Sequence, residues 1–267
     1  KIPARELEVI KRWIEDGLVL KSGEQPESMS KDQKTREKKG EPTEDEPNNE
    51  PSAFEAVKGL LQSTALTAIA AQPGGSLVAL SGNEQIVLYD LQKQSFLHAL
   101  PLQEQEITEL RFSSDGKWLL AAGGTPGLSS SVFGWDVSSG EQLFQMADEN
   151  DSILGLDLSA DRELVAFGGP SKTLKITRVV DGEVLHTLRK HTDWVLAAEF
   201  SPDGLLVASA DRFGGLFVWE TGTGELFYDL KGHAGPIHDI AWDADGETLL
   251  SAGEDGEIRV WNLHHGE

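Results

Sequence analysis

The sequence predicts an all-β fold, a β-propeller with about five four-stranded blades visible and its ring incomplete, preceded by one helix and a disordered linker. Three observations predict it. Marker residues recur at a fixed 42-residue step through the second half of the chain. Within each step, four short apolar runs alternate with turn residues. Before residue 53 both features are missing and the composition changes.

Residues 1–20 read as a helix. Leu7, Ile10, Ile14 and Leu18 recur at spacings of three and four beside Trp13, with Pro3 near the start and Gly17 in the last turn. A lone helix cannot bury its own apolar stripe, so it must dock on something. Residues 21–52 contain no aromatic residue, Leu, Ile or Val, and carry six basic and nine acidic residues with Pro26, Pro42, Pro47 and Pro51. Such a segment cannot offset its ordering entropy by burial, which predicts a disordered linker whose charges serve solvation.

Residues 53–267 hold the repeat. Trp135, Thr177, Trp219 and Trp261 fall 42 apart, and Gly140, Gly182, Gly224 and Gly266 keep the same step. Ser159, Ser201 and Asp243 open the turns SADR, SPDG and DADG. The second unit opens its turn at Ser113, 46 residues before Ser159, which assigns four extra residues to a loop insertion in Gly123–Ser131. The first unit is weaker, with Pro73-Gly74-Gly75 as its turn and Tyr89-Asp90 in the tryptophan position. In the fourth unit the strands are Val195–Phe200, Leu205–Ser209, Leu216–Trp219 and Leu226–Leu230. Each such blade must bury both faces against neighbours.

These residues resemble the WD40-repeat family, whose signature is a Gly-His dipeptide, a serine or threonine, an aspartate and a closing Trp-Asp. The last unit is most similar, with Gly232-His233, Ser251, Asp255 and Trp261-Asn262. The resemblance implies a structural network in which Trp261 donates to Ser251, Ser251 to His233 and His233 to Asp255. The fourth unit keeps His191, Ser209 and Trp219 but has Phe213 in the aspartate slot, leaving open whether Asp211 substitutes. The third has Thr177-Arg178 for Trp-Asp and Glu149 in the histidine slot. Packing rather than a full polar network is expected to hold these two.

The turn His264-His265-Gly266 points toward a fourth strand that does not follow. Either Phe54–Gln62 supplies that strand and closes a small ring, or further blades come from additional sequence or a second chain. The second option is preferred, and self-association completing the ring is one form of it. The opening IPARELEVIKRWIEDGL is similar to the closing helix of planctomycete-type c cytochrome domains, which precede WD40 propellers in fusion proteins. FGGPSK (Phe167–Lys172), KHTDW (Lys190–Trp194) and DRFGGLFVWE (Asp211–Glu220) look like the same group. That resemblance implies an upstream haem c domain and an extracytoplasmic or periplasmic location. No Cys-x-x-Cys-His is present, so no cofactor is expected in this chain.

Composition narrows the function. The 267 residues include 23 basic and 45 acidic ones, a formal charge of −22, which argues against a nucleic-acid partner. No run of 18 apolar residues is present, so no membrane span is expected. Without cysteine there is no disulfide, thiolate catalysis or Cys-ligated zinc. Residue 1 is Lys, so a missing leader carries no information.

Candidate chemistry is sparse. Asp243-Ala244-Asp245-Gly246 with Glu254 at the twelfth position imitates a calcium loop, but the sixth position is Thr248 instead of glycine. His264 and His265 read as turn residues, and no metal site is expected. His191 and His233 occupy the structural slot, and no nucleophile-elbow, zincin or P-loop motif is found. The expectation is therefore a non-catalytic protein-interaction scaffold. Asp193, Trp194, His238 and Glu254 are its candidate partner contacts, and the Gly124–Ser130 insertion a further one. The alternative is a propeller-based hydrolase or lyase with polar residues converging at the central channel. It is disfavoured because the innermost strands read as mostly apolar, as at Ala197, Ala198 and Ile240.

Overall fold

The computed structural model describes residues 66–82, 85–102, 106–125, 129–148 and 152–263. The predicted helix at 1–20, the linker at 21–52, the strand candidate Phe54–Gln62 and the turn His264–Gly266 lie outside the described residues. What is described is all-β, as five antiparallel sheets whose strands pair in chain order.

The first blade contains β1 (Ile69–Ala71), β2 (Leu77–Gly82), β3 (Gln85–Asp90) and β4 (Ser95–Pro101). The second contains β5 (Ile107–Phe112), β6 (Trp118–Thr125), β7 (Ser129–Asp136) and β8 (Gln142–Asp148). The third contains β9 (Gly155–Leu158), β10 (Leu164–Gly168), β11 (Leu174–Arg178) and β12 (Val184–Leu188). The fourth contains β13 (Val195–Phe200), β14 (Leu206–Asp211), β15 (Leu216–Glu220) and β16 (Leu226–Leu230). The fifth has three described strands, β17 (Ile237–Trp242), β18 (Thr248–Gly253) and β19 (Ile258–Asn262). The repeat predicted from the 42-residue period is the repeat the structure contains.

The turn chemistry explains the regularity. Ser201 Oγ donates to Asp203 Oδ1 at 2.6 Å and accepts from the Leu206 amide at 2.9 Å. Ser113 with Asp115 and Ser159 with Asp161 repeat the arrangement. The turn then needs a left-handed residue, supplied by Gly74, Gly116, Gly204 and Gly246 at φ of 65° to 72°. In the third blade Arg162 adopts that conformation at φ 65°. Its guanidinium lies over Trp118 of the second blade, 4.9 Å from the ring centroid.

In the fourth blade the middle strands are covered on both faces, which is why β15 reads as an unbroken apolar run and buries Leu216, Phe217, Val218 and Trp219. The core is not inside any blade but between blades. One cluster joins Ile86 and Leu88 to Leu110 and Trp135, and the last joins Leu216 and Val218 to Ile237, Ile240 and Trp261. Outer strands add lateral ties at one register. His98 Nε2 meets the Ser138 carbonyl at 3.1 Å, His186 Nε2 the Gly222 carbonyl at 3.2 Å, and Tyr228 Oη donates to the Leu263 carbonyl at 2.5 Å.

One local expectation changes. The insertion around Gly123–Ser131 lengthens a hairpin, with pairing running from Trp118↔Asp136 out to Thr125↔Ser129. Gly123 and Gly124 permit this because a Cβ at either would lie about 2 Å from a carbonyl oxygen, Glu106 or Ser129 respectively. Among the described residues no helix is long and apolar enough to cross a membrane.

Candidate functional site

The last two blades each hold a four-residue polar chain, buried in the fourth and partly buried in the fifth. In the fifth, Trp261 Nε1 donates to Ser251 Oγ at 2.8 Å, Ser251 Oγ lies 2.7 Å from His233 Nε2, and His233 Nδ1 lies 2.8 Å from Asp255 Oδ2. Amides of Ala234 and Glu257 also donate to Asp255, and with His233 they hold its carboxyl down at about 2.

The fourth blade has the same chain with a different aspartate. Trp219 Nε1 donates to Ser209 Oγ at 2.9 Å, His191 Nε2 lies 2.7 Å from that oxygen, and His191 Nδ1 is 3.0 Å from Asp211 Oδ2. Asp211 is therefore the substitute, and the expectation that this blade lacks a full network is corrected. Burial opposes its ionisation, but His191 and the Gly215 and Phe213 amides outweigh that and hold its carboxyl below the usual range. Glycines explain how two sequence positions reach one imidazole. A Cβ at Gly253, the fifth blade's equivalent of Asp211, would lie 2.6 Å from His233 Nδ1 and 2.9 Å from Asp255. A Cβ at Gly215, the fourth blade's equivalent of Glu257, would lie 2.5 Å from Asp211 Oδ2. Each blade clears space for the aspartate it uses.

The second and third blades are held by packing. Trp135 stacks on Phe133 with centroids 5.6 Å apart. Thr177 is buried in the tryptophan slot and its Oγ1 has no hydrogen-bond partner.

The four proposed contacts lie on neighbouring blades, Asp193 and Trp194 on the segment entering the fourth and His238 and Glu254 on the fifth, where Pro236 and Glu254 hold the positions of Trp194 and Arg212. Trp194 is 40% exposed and the Arg212 guanidinium stacks on it at 4.9 Å. The Arg212 amide donates to the Trp194 carbonyl at 2.9 Å, and Asp193 Oδ1 accepts from the Trp194 amide. In the fifth blade His238 Nε2 is 2.9 Å from Glu254 Oε1, with both side chains exposed. Sequence reasoning missed Phe213, which is 76% exposed beside Arg212. Its turn packs on the loop of the next blade, since a Cβ at Gly214 would lie 2.7 Å from the His233 carbonyl oxygen.

The calcium-loop imitation is not assembled. Thr248–Gly253 is strand β18, and Glu254 faces His238.

The innermost strands correct a second expectation. They surround a cavity of about 650 Å³ lined by Glu109 and Arg111 of β5, Asp157 of β9, Glu199 of β13 and Asp239 of β17. Glu109 and Asp239 hold one repeat position on these strands, and Arg111, Asp157 and Glu199 the one two residues further on, whereas Ala198 and Ile240 pack into blade junctions. Burial pushes Glu109 up to about 7, with Asp239 and Asp157 adding to the rise and Arg111 opposing it. Glu199 is also pushed up to about 7 by burial and by Asp157. Asp157 accepts from the Phe200 amide at 2.8 Å and has Arg111 Nε at 3.9 Å, yet burial still raises its carboxyl. Glu199 Oε2 and Arg111 Nε are buried without a hydrogen-bond partner. The signal for these groups was a charged residue at the same repeat positions of β5, β9, β13 and β17.

No curated protein matches the chain. The family model described as WD domain, G-beta repeat matches residues 94–136, 182–219 and 224–262. Two of these spans end on the tryptophan of a polar chain, Trp219, or one residue past it, at Asn262, and the first on Trp135-Asp136. The chain thus carries WD40 repeats in three regions, on an all-β architecture of propeller blades.

Proposed function

We propose that this chain is a non-catalytic protein-interaction scaffold whose partner docks on the loop rim around Trp194 and Phe213. WD40 repeats generally serve protein interaction, which supports the class. The observation that carries the site is the exposed Trp194–Arg212 stack with Phe213 beside it, because large aromatics and arginine dominate binding energy when a partner desolvates them. Asp193, His238 and Glu254 form its polar surround. The polar chains at Ser209 and Ser251 serve by fixing the loops, since His191 and His233 tie the incoming segments to the middle strands. In this proposal the parent protein carries an upstream haem c domain and works outside the cytoplasm. The support is the segment IPARELEVIKRWIEDGL. Affinity capture from the source cells tests the rim: Trp194→Ala and Phe213→Ala are expected to lose the partner that the wild type retains.

A second reading has one specific observation in its favour. Two glutamates with carboxyls near 7, Glu109 and Glu199, share the central cavity, and such groups suit general acid–base work at neutral pH. Turnover of a glycan or ester panel that is abolished by Glu109→Gln would favour a hydrolase or lyase over the scaffold.

A further inference from the structure

Trp194 stands on the segment entering the fourth blade, and a cation from each of two blade turns reaches that segment. From the third blade, Lys172 Nζ donates to the Thr192 carbonyl at 2.9 Å. From the fourth, the Arg212 guanidinium stacks on the Trp194 ring at 4.9 Å. The Val195 amide donates to the Gly169 carbonyl at 3.0 Å, which holds the third blade's turn against the same segment. Lys172 and Arg212 are both exposed, and neither forms an ion pair among the described residues. The carboxylates of this region are engaged already. Asp193 Oδ1 accepts from the Trp194 amide, Asp211 is buried against His191, and Glu254 Oε1 lies 2.9 Å from His238 Nε2.

Lys172 is unusual in its backbone as well. It adopts φ 61°, in the left-handed region, whereas the equivalent residues of the fourth and fifth blades are Gly214 at φ 89° and Gly256 at φ 79°. The turn itself needs no lysine. The Lys172 amide donates to the Gly169 carbonyl at 3.1 Å, and the Gly256 amide makes the same bond to Gly253 at 3.1 Å. A side chain kept where glycine is favoured, and left in solvent, points to a role beyond the turn.

We infer that the partner segment captured at this rim is acidic, laying an apolar side chain on Trp194 and Phe213 and setting Asp or Glu carboxylates against Arg212 and Lys172. The inference rests on the rim reading above and adds the partner's chemistry to it. Stacking occupies one face of the Arg212 guanidinium and leaves its in-plane N–H donors free to take a carboxylate through two parallel bonds. Lys172 spends one of its three donors on Thr192 and keeps two. A chain of net charge −22 repels extended polyanions, so a pair of exposed, unpaired cations beside an indole suits a short acidic peptide segment better than a nucleic acid.

Selection from a random peptide display library on the immobilised whole chain tests it, with fluorescence anisotropy of the enriched peptides as the readout. These are expected to carry Asp or Glu close to Trp, Phe or Leu, and to lose binding to Trp194→Ala. Replacing their Asp and Glu by Asn and Gln should weaken binding roughly tenfold or more. Arg212→Gln and Lys172→Gly should each weaken it by a similar factor, whereas Lys117→Gln, at an exposed lysine of the second blade, should not. Lys172→Gly restores the residue of the other two blades, so melting should be unchanged or raised and lost binding cannot be ascribed to lost folding. Peptides that depend on Trp194 but not on their own acidic residues overturn the acidic partner and leave the rim standing. Peptides indifferent to Trp194→Ala overturn both, and so does a selection that enriches none.

Discussion

Asp211 Oδ2 lies 3.0 Å from His191 Nδ1, the place that Asp255 fills beside His233 from two positions further along its blade. Blade four thus uses an aspartate at the end of its second strand, and blade five one in the following turn. Asp211→Gly should leave the buried His191 Nδ1 without its partner and cost ~1–3 kcal/mol in urea unfolding. Adding Phe213→Asp recreates the fifth blade's Gly253–Asp255 spacing and should recover part of that loss. No recovery would mean the two spacings are not equivalent.

Thr177 gives the opposite prediction. Its buried Oγ1 has no partner, so the hydroxyl contributes only a desolvation cost. Thr177→Val should be neutral or stabilising by about 1 kcal/mol, measured by the same unfolding curves. Ser209→Ala, which strands Trp219 Nε1 and His191 together, should instead be clearly destabilising.

The cavity glutamates set a pH dependence. Folded Glu109 and Glu199 hold protons up to about 7, whereas unfolded glutamate ionises near 4.5. Between those values the unfolded state binds fewer protons, so stability should fall as pH rises from 4.5 to 7 and level off above. Melting temperatures at pH 5 and pH 8 read this directly. The double variant Glu109→Gln with Glu199→Gln should flatten the difference, and an unchanged slope would locate its origin elsewhere.

Two turn glycines separate backbone strain from crowding. Gly182 at φ 72° has open space around a Cβ, so Gly182→Ala should cost only the left-handed penalty, about 1–2 kcal/mol. Gly224 at φ 71° would place a Cβ 2.8 Å from His186 Nδ1, which ties the third blade to the fourth. Gly224→Ala should cost more than Gly182→Ala, with thermal melts deciding.

The repeat was legible because period, turn serines and closing tryptophans are local signals that survive one residue at a time. The polar chain of the fifth blade was legible for the same reason, through Gly232-His233 and Trp261. Asp211 was only half legible, since a two-residue displacement can be resolved only by seeing which neighbouring position is glycine. The central carboxylates were hidden because Glu109, Asp157, Glu199 and Asp239 come from four strands, and only radial stacking brings them to one cavity. Phe213 stands in the aspartate slot of the repeat, and its 76% exposure follows from the turn it sits in, which the slot alone does not reveal. The hairpin at Gly123–Ser131 was hidden by glycine and serine, which mark a loop unless a ladder pairs them.

The central claim is that this array of blades works by presenting the Trp194 rim to a protein partner. Parallel affinity capture with the wild type, Trp194→Ala and Glu109→Gln tests it most directly. The partner is expected to be lost with Trp194→Ala and kept with Glu109→Gln. Retention with Trp194→Ala, together with loss on Glu109→Gln, would contradict it and move the working surface to the central cavity.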